Sequence, residues 1–163
     1  MNKADKNILE LLKEDSRLTP ENISAATALP VDEVKKRISA LEESGTIVRY
    51  TVITNTPDDD EEEVEALVEV KVTPMRGHGF EALAKEISVH KEVKDLYLMS
   101  GAIDLMVVVH GKSMRTVSRF IAEKISTYNN VIATTTHFVL KKYKVEGVDM
   151  TDKIAGDRLS VHE

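Results

Sequence analysis

Residues 19–45 read TPENISAATALPVDEVKKRISALEESG, and this stretch decides the fold of the first third of the chain. Thr19 is placed to cap a helix, its hydroxyl accepting from an early amide. Pro20 suits the first helical position, where its missing N–H would go unpaired anyway. Ile23 and Ala26 form one short apolar stripe. The Leu29-Pro30 step ends that helix, because proline disfavours the α region for the residue before it. Val31, Val34, Ile38 and Leu41 then line one side of a second helix. Lys35, Lys36 and Ser39 fall on its other sides, free to face a partner. Gly45 predicts a left-handed cap. Two short helices with so brief a break suit a steeply docked pair, the second entering a DNA major groove. Plain helical packing uses the same pattern, so the motif alone leaves both readings open.

Outward from that stretch the pattern continues. Ala4, Ile8, Leu11 and Leu12 put one apolar face on a helix over 4–14, making a three-helix unit. On the other side, Ile47 to Ile53 is rich in β-branched residues and bounded by Gly45 and Asn55-Thr56-Pro57. It predicts a strand after the second helix of the motif, giving a winged-helix-like unit over 1–53. Arg49 in that segment either touches a phosphate or is simply solvated.

The chain has 163 residues, enough for one ordinary domain or two small ones. Hydrophobic residues at 42% and charged residues at 31% give the balance of a soluble globular protein. Without cysteine there is neither a disulfide framework nor a thiolate metal site. The first fifteen residues alternate charge and apolar groups, unlike a signal peptide. The longest apolar run, Leu105 to Val109, is far too short to span a bilayer, and the cytoplasm is the expected location.

A net charge of −6 sits oddly with DNA binding, so its distribution matters. Residues 1–53 carry eight basic and nine acidic side chains, residues 54–65 seven acids and no base, and residues 66–163 fourteen bases and twelve acids. One acidic segment therefore accounts for the imbalance. A linker is expected over 54–63, where Pro57 precedes six consecutive acids that cannot pack into a core. A solvated spacer is the plain reading, and a phosphate mimic competing for the DNA face is the sharper one.

After the linker, Val68, Val70 and Val72 alternate with Glu69 and Lys71, predicting a strand over 66–73. A turn at 74–79 leads to a helix with Phe80, Leu83, Ala84 and Ile87 on one side. Strands are expected over 93–100 and 103–110, joined by a very short turn at Gly101-Ala102. A helix follows with Met114, Val117, Ile121 and Ile125, then a last strand from Val131 to Lys142. The order β-α-β-β-α-β is the ferredoxin-like split unit, expected over 64–146 with a polar tail over 147–163. The whole is an α+β protein. The strand Ile103–Val109 is apolar on both parities apart from Asp104, so the sheet face away from the helices should be covered, a second copy being the simplest partner.

An N-terminal helix-turn-helix joined to a β-α-β-β-α-β unit resembles the Lrp/AsnC, or feast/famine, transcription regulators over residues 1 to about 146. The residues that carry the resemblance are Asp5, Ile8, Leu9 and Leu12; Arg17-Leu18-Thr19; and Val34, Arg37, Ile38, Leu41, Glu42, Gly45 and Ile47. In the second domain they are Gly101-Ala102-Ile103-Asp104-Leu105 and Val131, Thr134 and Thr136. The resemblance implies a double-stranded-DNA-binding transcription regulator and no enzyme. It implies a homodimer through the sheet domain that assembles into higher oligomers. It also implies an amino acid or related effector between adjoining sheet domains, with Gly101, Asp104, Thr134 and Thr136 beside it. The DNA contacts are then expected at Lys35, Lys36, Arg37, Ser39 and Arg49, although Arg37 can instead pack or pair. Two departures stand out. Pro30 occupies the place where the family usually has a serine that caps the reading helix, and the linker is unusually acidic.

Other chemistry finds little support. Five histidines at 78, 90, 110, 137 and 162 have no metal-ligand spacing, and neither a metal nor another cofactor is expected. Arg76-Gly77-His78-Gly79 before a helix can cradle a phosphate but is more simply a turn. Aromatic residues at 4% are too few for base-stacking platforms. Asp104 either bonds its own hairpin backbone or receives a ligand ammonium. Two competing classes share this architecture: a sirohaem-decarboxylase-like enzyme, and a small-molecule binder without a DNA role. The enzyme needs a basic pocket over a tetrapyrrole, and no Arg/His pair stands on the hairpin strands.

Overall fold

The structure, a computed structural model, describes residues 1–54, 64–73 and 80–151. It divides into two compact units, Met1–Thr54 and Asn55–Glu163. The acidic run at 58–63, the Arg76-Gly77-His78-Gly79 turn, and the tail from 152 onward lie outside the described residues.

The first unit holds α1 (Lys3–Glu14), α2 (Pro20–Thr27) and α3 (Val31–Glu43). Each start is set by local chemistry. Asn2 and Asp5 form a reciprocal capping box on α1, and Thr19 and Asn22 do the same on α2, with Pro20 at its first position. α2 ends at Ala28, which takes a left-handed conformation at φ 57, one step earlier than the Leu29-Pro30 break. Pro30 caps α3 without a side-chain hydrogen bond. Ile8, Leu12, Ile23, Val34 and Leu41 are buried together and form the core. Burying each such side chain is worth roughly 1.5–3 kcal/mol. Ala26 is exposed, so Ile23 alone carries the stripe of α2. Gly45 sits at φ +69, which terminates α3 where other residues would be strained.

The strand expected over 47–53 does not form. Val48 is 87% and Val52 78% exposed, and no described edge in this unit pairs with them. β-Branched residues favour a pleated, half-buried surface, and without a neighbouring strand that preference has nothing to act on. The segment instead ties back to α3, through the Ile47 amide on the Leu41 carbonyl at 2.9 Å and the Tyr50 hydroxyl on Glu42 at 2.9 Å.

The second unit runs β1 (Val64–Val72), α4 (Phe80–Ser88), β2 (Val93–Leu98), β3 (Leu105–Gly111), α5 (Met114–Glu123), a 3-10 turn (Ile125–Thr127) and β4 (Val131–Phe138). The sheet order is β2-β3-β1-β4 and every pairing is antiparallel. This is the expected split β-α-β unit. Ala66, Val68, Val70, Val72, Leu105, Val107 and Val109 pack with Leu83, Ile87, Val117, Phe120, Ile121 and Ile125 in one core.

Several details differ from expectation. The β2–β3 connection spans 99–104 and is closed by the Met99 amide on the Asp104 carbonyl at 2.8 Å, so Gly101-Ala102 is only its tip. Met114 is 51% exposed, being the first residue of α5 with no preceding turn to cover it. β4 stops at Phe138, short of Lys142. A small hairpin, β5 (Lys144–Val145) and β6 (Val148–Asp149), stands where a loose tail was expected. Its two-residue turn places Glu146 at φ 46 and Gly147 at φ 83, the positive pair that tight hairpins need.

The sheet face away from the helices is mixed. Leu67, Tyr97, Met106 and Val108 alternate there with Glu69, Asp95 and His137. Val108 is already buried, while Leu67 is 37% and Tyr97 52% exposed. Among the described residues no helix is long and apolar enough to cross a membrane.

Candidate nucleic-acid interface and effector site

On α3 the buried side holds Val34 and Leu41, which leaves Lys35, Lys36 and Ser39 exposed. Lys35 makes one loose ion pair, 3.6 Å to Glu21 in the first turn of α2, with both side chains more than half exposed. Such a pair contributes little and yields readily to a phosphate. Arg49 is exposed in the segment after α3. These four side chains are therefore available to a partner in solvent.

Arg37 takes the second of the two readings expected of it, pairing within the unit instead of facing solvent. Its Nη1 donates to Asp5 of α1 at 2.7 Å and its Nη2 to Glu33 at 2.7 Å, with the side chain only 24% exposed. The Asp5 hydrogen bond raises the Arg37 pKa. The Asp5 carboxyl in turn is held below its ordinary value, first by the Asn2 amide and then by Arg37. A guanidinium so engaged has no fork left to offer a base edge. Sequence reading named Asp5 and Arg37 separately, and their 32-residue separation hid the pairing.

In the sheet unit the four expected effector positions do not form one pocket within the chain. Gly101 is exposed at φ +155 on the tip of the β2–β3 connection. Asp104 precedes β3 instead of lying inside it. Its carboxylate accepts from the Val72 amide at 2.8 Å, and its own amide donates to the Val70 carbonyl at 3.2 Å. Thr134 and Thr136 pair across from Val70 and Val68, so they share the helix-covered side of the sheet at its β4 edge. The Thr134 hydroxyl lies 3.3 Å from that of Ser126, a residue the sequence offered no signal for. β1 stands between Asp104 and the threonines.

A second polar cluster on the open face was not foreseen. Glu65 accepts from Lys94 and from Lys142, both at 2.9 Å, beside His110 in a cavity of about 300 Å³. Burial pushes the Glu65 carboxyl up, but the two lysine hydrogen bonds outweigh it and hold the group below its ordinary value. His137 meets Glu69 at 3.3 Å and His90 meets the Tyr128 hydroxyl at 3.1 Å, so the described histidines are dispersed. Among the described residues no group of three His, Asp or Glu could hold a metal ion.

Residues 1–48 match the profile of a winged helix-turn-helix DNA-binding domain, and residues 65–149 match that of the Lrp/AsnC ligand binding domain. The chain belongs to the Lrp/AsnC family. The regulator is 47% identical over 141 residues to YugG of Bacillus subtilis (strain 168), itself named an uncharacterized HTH-type transcriptional regulator, covering 86% of this chain and 85% of that protein. It is 28% identical over 144 residues to the proline dehydrogenase transcriptional activator of Rhizobium radiobacter, covering 88% and 92%. In fold it is similar to the transcriptional regulator NMB0573 of Neisseria meningitidis, solved as a complex with L-Met, at a TM-score of 0.68 and 23% identity over 93% of this chain and 97% of that one. This is thus a DNA-binding transcriptional regulator with a ligand-binding domain, and the enzyme reading falls: the matched family and the relatives are regulators.

Proposed function

We propose that this regulator reads double-stranded DNA with the exposed side of α3, and that an amino acid held between sheet domains of a cytoplasmic homo-oligomer modulates the binding. The observation that carries the DNA half is the outward display of Lys35, Lys36 and Ser39 on α3, with Arg49 exposed after it. Phosphates are neutralised by lysine and arginine, and side chains such as serine add hydrogen bonds to backbone or bases. The unit 1–53 then carries recognition, 54–63 the acidic linker, 64–146 the effector and oligomer role, and 147–163 the tail.

The effector half draws support from the solved L-Met complex of a protein with the same fold. A zwitterion needs an acceptor for its ammonium and donors for its carboxylate. Asp104 supplies the first, and Thr134, Thr136 and the amides near Gly101 supply the second. The separation of these groups by β1 within one chain supports a site shared between subunits.

The test has two arms. Gel shifts of genomic fragments, with and without each amino acid, should show retarded bands whose affinity changes with one or a few of them. Calorimetric titration of all twenty amino acids into wild type and Asp104→Ala should then show binding that the variant loses while keeping its oligomeric state. No retarded fragment would sink the DNA reading, and no heat from any amino acid would sink the effector reading.

A further inference from the structure

The core between α1 and α3 is made by Ile8, Leu12, Val34 and Leu41. Such contacts decide which side of α3 is buried, but because apolar burial is non-directional they set the fine rotation of the helix only coarsely. Among the described residues, one polar tie crosses from α1 to α3: the Arg37 Nη1 donates to Asp5 Oδ1 at 2.7 Å. Both ends are themselves anchored. The other Asp5 oxygen accepts from the Asn2 amide at 3.1 Å as part of the α1 cap, and Arg37 also spans to Glu33 one turn back on α3. The side chains are 18% and 24% exposed, so water competes poorly for the pair.

The arrangement is costly in one respect. The Arg37 Nε is buried with no acceptor among the described residues. An unpaired buried donor is unfavourable, yet the planar fork is what reaches two carboxylates at once, which a lysine ammonium cannot do in the same geometry.

We infer that Arg37 is a positioning residue for DNA binding: through Asp5 it sets the rotation of α3, so that Lys35, Lys36 and Ser39 face the duplex together. The inference rests on the reading of α3 as the DNA-contacting helix. Both terminal nitrogens of Arg37 are held by carboxylates of its own unit. Its charge is consumed inside the unit.

A direct contact and a positioning role predict opposite results for Asp5→Asn. If Arg37 touched phosphate, removing the Asp5 charge would release it and tighten binding. If Arg37 positions α3, the same change weakens binding. The measurement is the affinity of the full chain for a duplex recovered from random sequence by the wild-type protein, across about 50–200 mM salt. Temperatures stay well below each variant's thermal midpoint, with folding checked by circular dichroism. We expect Asp5→Asn and Arg37→Lys each to weaken binding about tenfold, the scale of one displaced base-edge contact. The slope of log affinity against log salt should not steepen in either, nor in Arg37→Met, because misaligned lysines can give up phosphate contacts but none is gained. Tighter or unchanged binding in Asp5→Asn overturns the inference, as does a steeper slope in that variant, which would mark Arg37 as a phosphate contact once released. A lowered midpoint with wild-type affinity in the folded variants overturns it too, since the pair is then structural only. If Arg37→Met does not fold, the near-isosteric Asp5→Asn still decides. A wild-type slope in Lys35→Ala and Lys36→Ala would instead refute the reading of α3, which keeps the two failures apart.

Discussion

The carboxylate of Asp104 accepts the Val72 amide at 2.8 Å, joining the entry of β3 to the end of β1. The β1–β3 ladder ends at Val70 opposite Leu105, so beyond it a side chain does what the next strand carbonyl would do. Asp104 therefore has a structural role whether or not a ligand binds. Asp104→Ala should lower the stability of the sheet unit by about 1–3 kcal/mol, the cost of leaving a part-buried amide unpaired. Asp104→Asn keeps an acceptor and should recover part of that loss. Urea unfolding of the three proteins measures the difference, and equal stabilities would show that water replaces the carboxylate at no cost.

Lys35 and Lys36 should each carry phosphate contacts. Lys35→Ala and Lys36→Ala are expected to weaken DNA binding and to lower the salt slope by about 0.9 per contact removed. Glu21→Gln should act the other way at Lys35, because it frees the ammonium from its ion pair at 3.6 Å. Fluorescence anisotropy over a salt series measures all three.

Association through the sheet face should depend on its apolar centre. Leu67 and Tyr97 are exposed there, next to Val108 and Met106. The double variant Leu67→Glu with Tyr97→Glu places new acids beside Glu69 and Asp95, so like charges would face each other across a two-fold contact. Sedimentation of the full chain should show an oligomer for wild type and a monomer for the variant at micromolar concentration. An unchanged sedimentation coefficient would place the interface on another surface.

Acid should loosen the cluster at Glu65. Its carboxyl is held below the ordinary value in the folded protein, so the unfolded chain binds protons first as pH falls. The stabilisation from Lys94 and Lys142 is then complete above the ordinary glutamate range and is lost as pH drops through the depressed folded value. Glu65→Gln should be less stable than wild type at pH 7, and the two midpoints should converge as pH falls through the depressed folded value of Glu65. Thermal unfolding at half-unit intervals tests this, and parallel curves would contradict it.

The amino-acid sequence by itself determined the helix starts, the two-unit division of labour and the order of the sheet elements. Those features follow from local rules. Thr19-Pro20 caps and opens α2, Gly45 closes α3, and the alternation of Val68, Val70 and Val72 declares a half-buried strand. The basic side chains of α3 were legible as well, since helical period alone separates Lys35 and Lys36 from the buried Val34 and Leu41. Tertiary structure decided what each polar group faces. Arg37 looks like a member of the basic cluster until Asp5, 32 residues away, is seen beside it. That Asp104 and Thr134 stand on opposite sides of β1 within one chain is likewise set by the sheet order. Ile47 to Ile53 looks like a strand, but a strand exists only where another edge completes its hydrogen bonds, and its own unit offers none. The division has one physical cause: period and capping act over a few residues, whereas ion pairs and ladders join residues that only the folded chain brings together.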